Sequence, residues 1–307
     1  MKAYIYTDLN PEVQKNLASR LIGHDVHFRQ QNSTSVPDEL ISAELLLGNP
    51  PRDWIEKAKQ LKFWQLDSAG FDQYRDVQMN FTASNMGDFF AVKCAETMVG
   101  GILSFYRNIH RLVQLQSEKK WVGKPLRYEM DVLSGKRVIV FGAGTIARSI
   151  RKMLSGFDCD VILVARKDPE ASIHSREELM RRLPEAELVI NTLPGVAQHY
   201  ADEAVFDAMR AGTLYASVGR GNTTDENALL RALQAGKLAG AVLDVTEKEP
   251  LPSESPLWKM SNVILTQHTA GGHKFEDKFK VDLFISNVNR FTKGEKPENL
   301  VNLGEGY

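Results

Sequence analysis

Three short segments of the chain combine residue types that can move protons and bind anions. Arg220 lies in the segment SVGRGN, Glu249 in DVTEKEPLP and His268 in TQHTAG. Imidazole titrates near neutral pH, a carboxylate can orient the imidazole ring, and a guanidinium presents a rigid pair of donors to an oxyanion. Each residue alone has an ordinary interpretation, as a surface arginine, a solvated loop glutamate or a core histidine. Their shared position at the ends of successive predicted strands favours one catalytic site.

The elements that must position these residues are six apolar, β-branched-rich runs separated by charged helical segments. Continuous apolarity indicates burial on both faces, as in a parallel sheet flanked by helices. Six strands with crossovers are typical of a doubly wound, Rossmann-type dinucleotide-binding domain, in which ligands lie beyond the carboxyl ends of the strands. The runs are residues 137–141, 160–165, 188–191, 214–218, 239–245 and 263–266.

A glycine-rich turn follows the first of these strands. Gly142 and Gly144 stand in the sequence GAGTIA, and Thr145 and Ile146 begin a helical stretch. The first glycine permits a tight turn, the second lets the backbone approach a pyrophosphate, and the free N–H groups of the new helix point at the anion. The context of strand, turn and helix therefore predicts dinucleotide binding. The alternative is a plain glycine turn without a ligand.

The end of the second strand bears on the choice between NAD and NADP. In NAD-preferring folds an acidic residue about 20 positions after the glycines binds the ribose 2′-hydroxyl. Here Ala165 occupies that place and is followed by Arg166 and Lys167. Two cations in place of a carboxylate favour the 2′-phosphate of NADP(H), with NAD(H) still possible. In the alternative interpretation the two cations form a solvated turn and Asp168 serves as the acid.

The remainder of the chain predicts a second, smaller α/β domain. Short strands and helical stretches alternate through the first hundred residues, which is a βαβ pattern, and a helical segment is expected from Lys93 to Gln116. We expect the final helix and tail to fold back onto this domain. The predicted division is a discontinuous substrate-binding domain of residues 1–97 and 275–307 around a dinucleotide-binding domain of residues 98–274.

Composition excludes several classes of protein. Among 307 residues, Lys and Arg number 38 and Asp and Glu 39, a net charge of −1 that leaves no basic footprint for nucleic acid or an acidic membrane. Cys94 and Cys159 form no paired motif, so neither a disulfide framework nor a thiolate zinc site is expected, and we predict no metal site. Without a long apolar run the sequence predicts no membrane span or signal peptide and a cytoplasmic protein.

Taken together, the motifs resemble those of the D-isomer-specific 2-hydroxyacid dehydrogenases, and the chain is most similar to the NADP-preferring glyoxylate/hydroxypyruvate reductases of that family. The resemblance extends over essentially the whole chain. The matching motifs are GAGTIA at 142–147, SAG at 68–70, LP at 193–194, VGRG at 218–221, EPLP at 249–252 and HTAG at 268–271. Two positions depart from the family pattern: Gln267 replaces the usual proline before the histidine, and Ala147 replaces the third glycine.

The resemblance and the chemistry together assign roles. We expect His268 to donate the proton, Glu249 to orient the imidazole, and Arg220 to bind the substrate carboxylate and polarise the keto group. The backbone at Ala69 and Gly70 would hold the remaining carboxylate oxygen. Residues that the resemblance places at the cofactor, in addition to the glycine turn and the two cations, are Thr97, Leu193, Pro194 and Asp244.

The expected activity is NADPH-dependent reduction of a small 2-keto acid to the D-2-hydroxy acid. Two alternatives remain open: NAD-linked oxidation of a D-2-hydroxy acid, and a non-catalytic dinucleotide-sensing protein of the corepressor type. The family resemblance also implies a homodimer, with the amphipathic helix after Cys94 as its surface. The apolar stripe of that helix, from Met98 to Ile109, could equally belong to the intrachain core.

Overall fold

A computed structural model describes residues 1–30 and 35–305. The chain divides into two compact units, one formed by residues 1–90 and 273–307 and the other by residues 91–272. The chain crosses from the first unit to the second after residue 90 and back after residue 272. The earlier crossing coincides with the start of a helix at Ala91, which stays whole within the second unit.

The first unit contains a parallel sheet in which the strand order is β2-β1-β3-β4-β5. This is the flavodoxin-like order. Four of the strands lie within the short apolar runs that the alternating pattern predicts, at residues 2–7, 25–29, 44–48 and 63–66. The fifth, β5, was missed because its sequence TAS carries little apolar signal. The strands are β1 (Lys2–Ile5), β2 (Asp25–Phe28), β3 (Leu45–Leu47), β4 (Phe63–Gln65) and β5 (Thr82–Ser84).

Helices cover both faces of this sheet. Asn10 caps the first helix by accepting a hydrogen bond from the Val13 amide, and a proline occupies the first helical position. The last helix of the chain packs on the same unit: Val281 and Phe284 are buried in one core with Leu17 and Phe63. The helices are α1 (Pro11–Arg20), α2 (Asp38–Ile41), α3 (Arg52–Ile55) and α11 (Glu276–Thr292), numbered along the whole chain.

The second unit contains a parallel sheet in the order β11-β10-β9-β8-β6-β7. Strand β6 lies between β7 and β8, so the direction of the crossovers reverses there. In doubly wound sheets ligands bind beyond the carboxyl ends of the strands at such a reversal. The strands match the six predicted runs and are β6 (Arg137–Phe141), β7 (Asp160–Val164), β8 (Leu188–Asn191), β9 (Thr213–Ser217), β10 (Leu238–Leu243) and β11 (Val263–Leu265).

The helices of this unit include one correction. The expected continuous helix from Lys93 to Gln116 is two helices, because Asn108 adopts a left-handed backbone conformation with a φ of 53°. Met98 and Ile102 are completely buried within this single chain, so this part of the stripe is intrachain core. The helices are α4 (Ala91–Tyr106), α5 (Ile109–Ser117), α6 (Lys124–Arg127), α7 (Thr145–Leu154), α8 (Arg176–Arg182), α9 (Glu203–Ala208) and α10 (Glu226–Gln234).

Neither a membrane-crossing helix nor a metal cluster is found in the described part of the chain. Within residues 1–30 and 35–305, none of the helices has both the length and the apolar character needed to span a bilayer. The same residues contain no group of three or more His, Cys, Asp or Glu side chains arranged to hold a metal ion.

Candidate active site

His268 and Glu249 form a closely bonded pair at the carboxyl ends of β10 and β11. The Nδ1 atom of His268 lies 2.6 Å from Oε2 of Glu249, and the amide of Thr246 donates to the other carboxylate oxygen at 3.0 Å. Because an ionised carboxylate can only accept, Nδ1 must carry the proton of this bond. Nε2 is therefore the ring nitrogen left to exchange a proton with a ligand. This is the arrangement that the sequence predicts for the acid and its orienting carboxylate.

Asp244 holds the loop that carries His268. Its buried carboxylate oxygen Oδ1 accepts hydrogen bonds from the Thr266 hydroxyl at 2.6 Å and from the amides of Thr269 and Ala270 at 3.0 and 3.1 Å. Its backbone carbonyl accepts from the amide of His268 at 2.6 Å. Asp244 thus fixes the backbone on both sides of the imidazole. No hydrogen bond to Oδ2 occurs among the described residues, and this oxygen remains available to a ligand.

The backbone of the histidine loop differs from what a proline would permit. Gln267 and His268 both have a φ of 55°, in the left-handed region. Proline fixes φ near about −65°. Gln267, which stands where the family pattern has proline, therefore adopts a backbone conformation that proline could not adopt.

Arg220 follows β9, and its loop packs against the segment that carries Glu249. The guanidinium donates to the carbonyl of Gly219 at 3.0 Å, and the Thr223 hydroxyl donates to the carbonyl of Arg220 at 2.6 Å. A β-carbon at Gly221 would overlap the carbonyl oxygen of Thr246, so only glycine permits this approach. The arginine and glutamate loops are therefore in direct backbone contact.

Helix α4 lies beside the same loops. The Thr97 hydroxyl donates to the carbonyl of Ala270 at 3.1 Å, which joins the helix to the histidine loop. Burial raises the pKa of the Cys94 thiol to about 11; the negative charge of Asp244 raises it further, and the positive charge of Arg220 opposes the shift. Asp244 and Arg220 therefore both act electrostatically on one buried thiol of this helix.

The predicted phosphate turn has the geometry that a pyrophosphate requires. Gly142 has a φ of 110°, and a β-carbon there would lie 2.5 Å from the Thr192 hydroxyl oxygen. Nothing lies within 4 Å of a β-carbon at Gly144, where the backbone is open to a ligand. Helix α7 begins at Thr145 without a side-chain cap, so the first N–H groups of this helix, including that of Ile146, have no partner among the residues that the structure describes. These features fit the phosphates of a dinucleotide.

The three residues that matter after β7 are two exposed cations and one acid that is already hydrogen-bonded. Arg166 and Lys167 are exposed, and neither has an ion pair or hydrogen bond to another residue in the described ranges. Asp168 instead bonds the guanidinium of Arg148 on α7 at 2.6 Å. This geometry favours the cationic interpretation over Asp168 as the ribose acid.

A buried polar cluster joins the turn after β8 to the arginine loop. Asn191 is completely buried; its side-chain oxygen accepts from the Leu193 amide at 3.0 Å, and its nitrogen donates to the Thr223 hydroxyl at 2.8 Å and to Tyr215 at 3.0 Å. Burial raises the pKa of Tyr215 to about 12, so its hydroxyl remains protonated. Sequence reasoning missed this cluster, although an asparagine at the end of an otherwise apolar strand was a usable signal.

Further contacts bring the β8 turn close to the arginine loop. A β-carbon at Gly219 would overlap the carbonyl oxygen of Leu193. The Leu193-Pro194 turn and the glycine before Arg220 therefore touch through their backbones. The Leu193-Pro194 turn follows β8, which lies beside β6, the strand that precedes Gly142.

Ala69 and Gly70 belong to the first unit, in the loop after β4. The Ser68 hydroxyl donates to the carbonyl of Gly70 at 2.6 Å, and the Asn85 side chain donates to the carbonyl of Ala69 at 2.6 Å. In contrast to these bonded carbonyls, the amides of Ala69 and Gly70 donate to no other residue in ranges 1–30 and 35–305. Two fixed N–H groups are therefore available to an anion.

A cavity of about 430 Å³ lies beside the histidine–glutamate pair. Leucine, proline and tryptophan side chains form half of its wall, and the polar lining residues are Asp244, Thr246, Glu249, Gln267 and His268. The Trp258 indole forms part of the wall and donates to the carbonyl of Pro252 at 2.9 Å. The lining residues are Leu243, Asp244, Thr246, Glu249, Pro250, Leu251, Trp258, Leu265, Gln267 and His268.

The sequence of this chain is similar to those of several known proteins. The family model for the NAD binding domain of D-isomer specific 2-hydroxyacid dehydrogenases matches residues 99–270. The glyoxylate/hydroxypyruvate reductase B of Enterobacter sp. (strain 638) is 27% identical over 319 aligned residues, which cover 97% of each chain. The glyoxylate/hydroxypyruvate reductase A of Salmonella heidelberg is 32% identical over 219 residues, 69% of this chain and 68% of its own.

The folds also agree over the full length. The crystal structure of a D-isomer specific 2-hydroxyacid dehydrogenase from Xanthobacter autotrophicus Py2, in complex with NADPH and MES, superposes with a TM-score of 0.82 at 25% identity and covers 99% of both chains. Two parallel sheets flanked by helices are thus shared with a solved member of that family.

Proposed function

Because the chain belongs to the family of D-isomer specific 2-hydroxyacid dehydrogenases and is an oxidoreductase, we propose that it reduces a small 2-keto acid to the D-2-hydroxy acid with NADPH. Relatives that are named glyoxylate/hydroxypyruvate reductases support the glyoxylate or hydroxypyruvate type of substrate. The observation that carries the proposal is the bond of 2.6 Å between His268 and Glu249, in a unit whose first βα turn fits a dinucleotide.

His268 is the proposed proton donor. Reduction of a ketone leaves negative charge on oxygen, which a protonated Nε2 of His268 can neutralise by transferring its proton. Glu249 accepts from Nδ1 at 2.6 Å, keeps the ring in one orientation and stabilises the imidazolium before the transfer. The hydrogen bonds of Asp244 to residues 266–270 hold the donor in place.

Anion-binding groups would hold and polarise the substrate. Arg220 presents a planar guanidinium that can bond the substrate carboxylate and the keto oxygen. The unpaired amides of Ala69 and Gly70 supply donors suited to a second carboxylate oxygen. We propose that Arg220 and His268 recognise the 2-keto acid part that all such substrates share, and that Ala69 and Gly70 have the carboxylate-binding role that the family resemblance implies.

The dinucleotide would be held by three groups of residues. Gly142, Gly144, Thr145 and Ile146 offer backbone to the pyrophosphate. Arg166 and Lys167 offer positive charge to the 2′-phosphate. Thr97, Leu193, Pro194 and Asp244 line the ends of the central strands, where the nicotinamide half belongs. When bound, NADPH supplies the hydride; the protein supplies position, charge and the proton.

We also propose that the protein is a homodimer that pairs through the segment after α4. Within the described residues, α5 and the stretch that follows it expose large apolar side chains that no part of the chain covers. The most exposed is Trp121 at 96%, and others are Ile109, Val113, Tyr128 and Val132. A group of exposed large apolar side chains within one segment is typical of protein interfaces. A second copy would bury it symmetrically.

The test is oxidation of NADPH, monitored by its absorbance, with 2-keto acids of increasing size, and the same series with NADH. We expect turnover with glyoxylate or hydroxypyruvate and a higher kcat/KM with NADPH. A dinucleotide sensor would bind NADPH yet leave the absorbance constant with every acid. Faster reaction with NAD and a D-2-hydroxy acid than with NADPH and any keto acid would favour the oxidative enzyme instead.

A further inference from the structure

We propose that His199 and Glu247 are positioning residues, because their pair couples the turn that follows β8 to the loop that carries Glu249. The inference rests on the proposed function, in which Glu249 orients His268. Neither residue belongs to the catalytic pair or to the groups proposed to hold the ligands. Their contribution would be to the geometry of the glutamate loop.

The pair is short and joins two different loops. Nε2 of His199 lies 2.6 Å from Oε1 of Glu247, with the side chains 40% and 36% exposed. The amide of His199 donates to the carbonyl of Asn222 at 2.8 Å, and the Asn222 side chain donates back to the carbonyl of Gly195 at 2.8 Å. His199 is therefore anchored both to its own turn and to the loop of Arg220.

Glu247 is held on a second side by helix α10. Its amide donates to the Glu226 carboxylate at 3.0 Å, and its own carboxylate accepts from the Glu226 amide at 3.4 Å. Burial, together with the charge of Glu247, raises the pKa of Glu226. Two carboxylates in such proximity repel each other, and the Nε2–H group of His199 donates a hydrogen bond to Glu247 that offsets this repulsion. Loss of this donor would free Glu247 to turn away from Glu226.

The neighbouring residue transmits the position of Glu247 to the active site. Thr246 donates its amide to Glu249 at 3.0 Å, and its carbonyl oxygen touches Gly221 beside Arg220. A shift of the backbone at Glu247 would therefore displace its neighbour Thr246, whose amide bonds the orienting carboxylate. The result would be a weaker bond between Glu249 and the imidazole of His268.

The competing interpretation is an ordinary surface ion pair. Such pairs contribute little to stability, about 0–1 kcal/mol, and their loss does not affect chemistry. The same unit supplies a matched control: Arg231 lies 3.1 Å from Glu203, both side chains are exposed, and the pair joins two helices. Glu203→Gln removes the same type of charge without contact to the loops of Arg220 or Glu249.

The experiment compares His199→Gln, Glu247→Gln, the double variant and Glu203→Gln in the full chain. For the two single variants we expect kcat to fall about tenfold, with KM for the keto acid changed less. The kcat of the double variant should be no lower than that of either single variant, because each single variant already removes the interaction between residues 199 and 247. Glu203→Gln should keep kcat within about twofold of the unmodified protein.

A second measurement does not depend on turnover. In protein labelled with ¹⁵N at histidine, the Nδ1 resonance of His268, assigned with His268→Asn, reports its bond to Glu249. We expect the chemical shift of this resonance to change in Glu247→Gln and to remain the same in Glu203→Gln. The inference would be overturned if, in Glu247→Gln, the His268 resonance or kcat were unchanged. It would also be overturned if Glu247→Gln and Glu203→Gln lowered Tm equally and neither lost kcat.

The two readouts separate this inference from the proposed function. If the unmodified protein reduces no 2-keto acid, the proposed function fails, whereas the His268 resonance still reports whether Glu247 positions Glu249. If reduction occurs and the resonance does not respond, only the positioning role is lost.

Discussion

The guanidinium of Arg148 lies 2.6 Å from the carboxylate of Asp168, and its Nε atom lies 2.9 Å from Glu170. The nearest acids to the end of β7 are thus already engaged by a helix of the same unit. Arg166 and Lys167, between the strand and these acids, are exposed. A 2′-phosphate would therefore meet positive charge before any carboxylate, which supports NADPH over NADH.

Reversal of one charge tests this preference. Arg166→Asp should raise the KM for NADPH about tenfold to a hundredfold, since it removes a charge-assisted hydrogen bond to the phosphate. The KM for NADH should change little. Lys152→Asp on the exposed side of α7 makes the same charge reversal away from the turn and should affect neither cofactor. Equal losses with both cofactors in Arg166→Asp would contradict the assignment to the 2′-phosphate.

Removal of the imidazole tests the proton donor. His268→Asn should lower kcat about a hundredfold to ten-thousandfold, the usual contribution of a general acid, while the Kd for NADPH measured by fluorescence stays near its original value. Glu249→Gln should give a smaller loss, because the ring remains but loses its charged partner. Activity close to that of the unmodified protein in His268→Asn would remove the residue from this role.

The raised pKa of Glu226 predicts a pH-dependent gain of stability on its replacement. Because the folded state holds this proton more tightly than the unfolded chain, the free energy of unfolding falls as pH rises from the ordinary glutamate pKa of 4.5 through the raised pKa. Glu226→Gln should therefore raise Tm at pH 7 and match the unmodified protein near pH 4. Glu203 begins α9 as Glu226 begins α10, so Glu203→Gln is the positional control and should not raise Tm. A Tm difference that is independent of pH would be inconsistent with this explanation.

The exposed tryptophan tests the dimer. Trp121→Asp should place a charge in the proposed interface and shift the mass measured by light scattering from dimer to monomer. Ile22→Asp is the matched control, because Ile22 is 86% exposed in the other unit and should leave the mass unchanged. A dimer that persists in Trp121→Asp would locate the interface elsewhere.

Sequence patterns predicted the second unit well because its strands are long and buried on both faces. Such runs, 137–141 and 188–191 for example, give a signal that agrees with the observed strands to the residue. In the first unit, β5 has three residues with a single strongly apolar neighbour and gives no comparable signal. The break at Asn108 was also missed, because apolar spacing continues across it and a positive φ at asparagine leaves no mark on periodicity.

At the candidate site, the types of the reacting residues were predictable, whereas their supports were not. The motifs around His268 and Glu249 predicted that these side chains interact, and Nδ1 of His268 lies 2.6 Å from Oε2 of Glu249. The hydrogen bonds of Asp244 and Asn191 depend on backbone groups from distant segments, and single-sequence patterns do not encode such pairings. The predicted division at residues 97 and 274, and the roles of the individual residues, remain predictions.

The left-handed backbone at Gln267 has a consequence for stabilisation by protein engineering. A common strategy reverts unusual residues to those typical of the family, and the family pattern that the motifs resemble would assign proline to position 267. The pyrrolidine ring cannot rotate to a φ of 55°. Reversion here would force the peptide before the imidazole to flip, and a library built on homologue frequencies should leave this glutamine untouched.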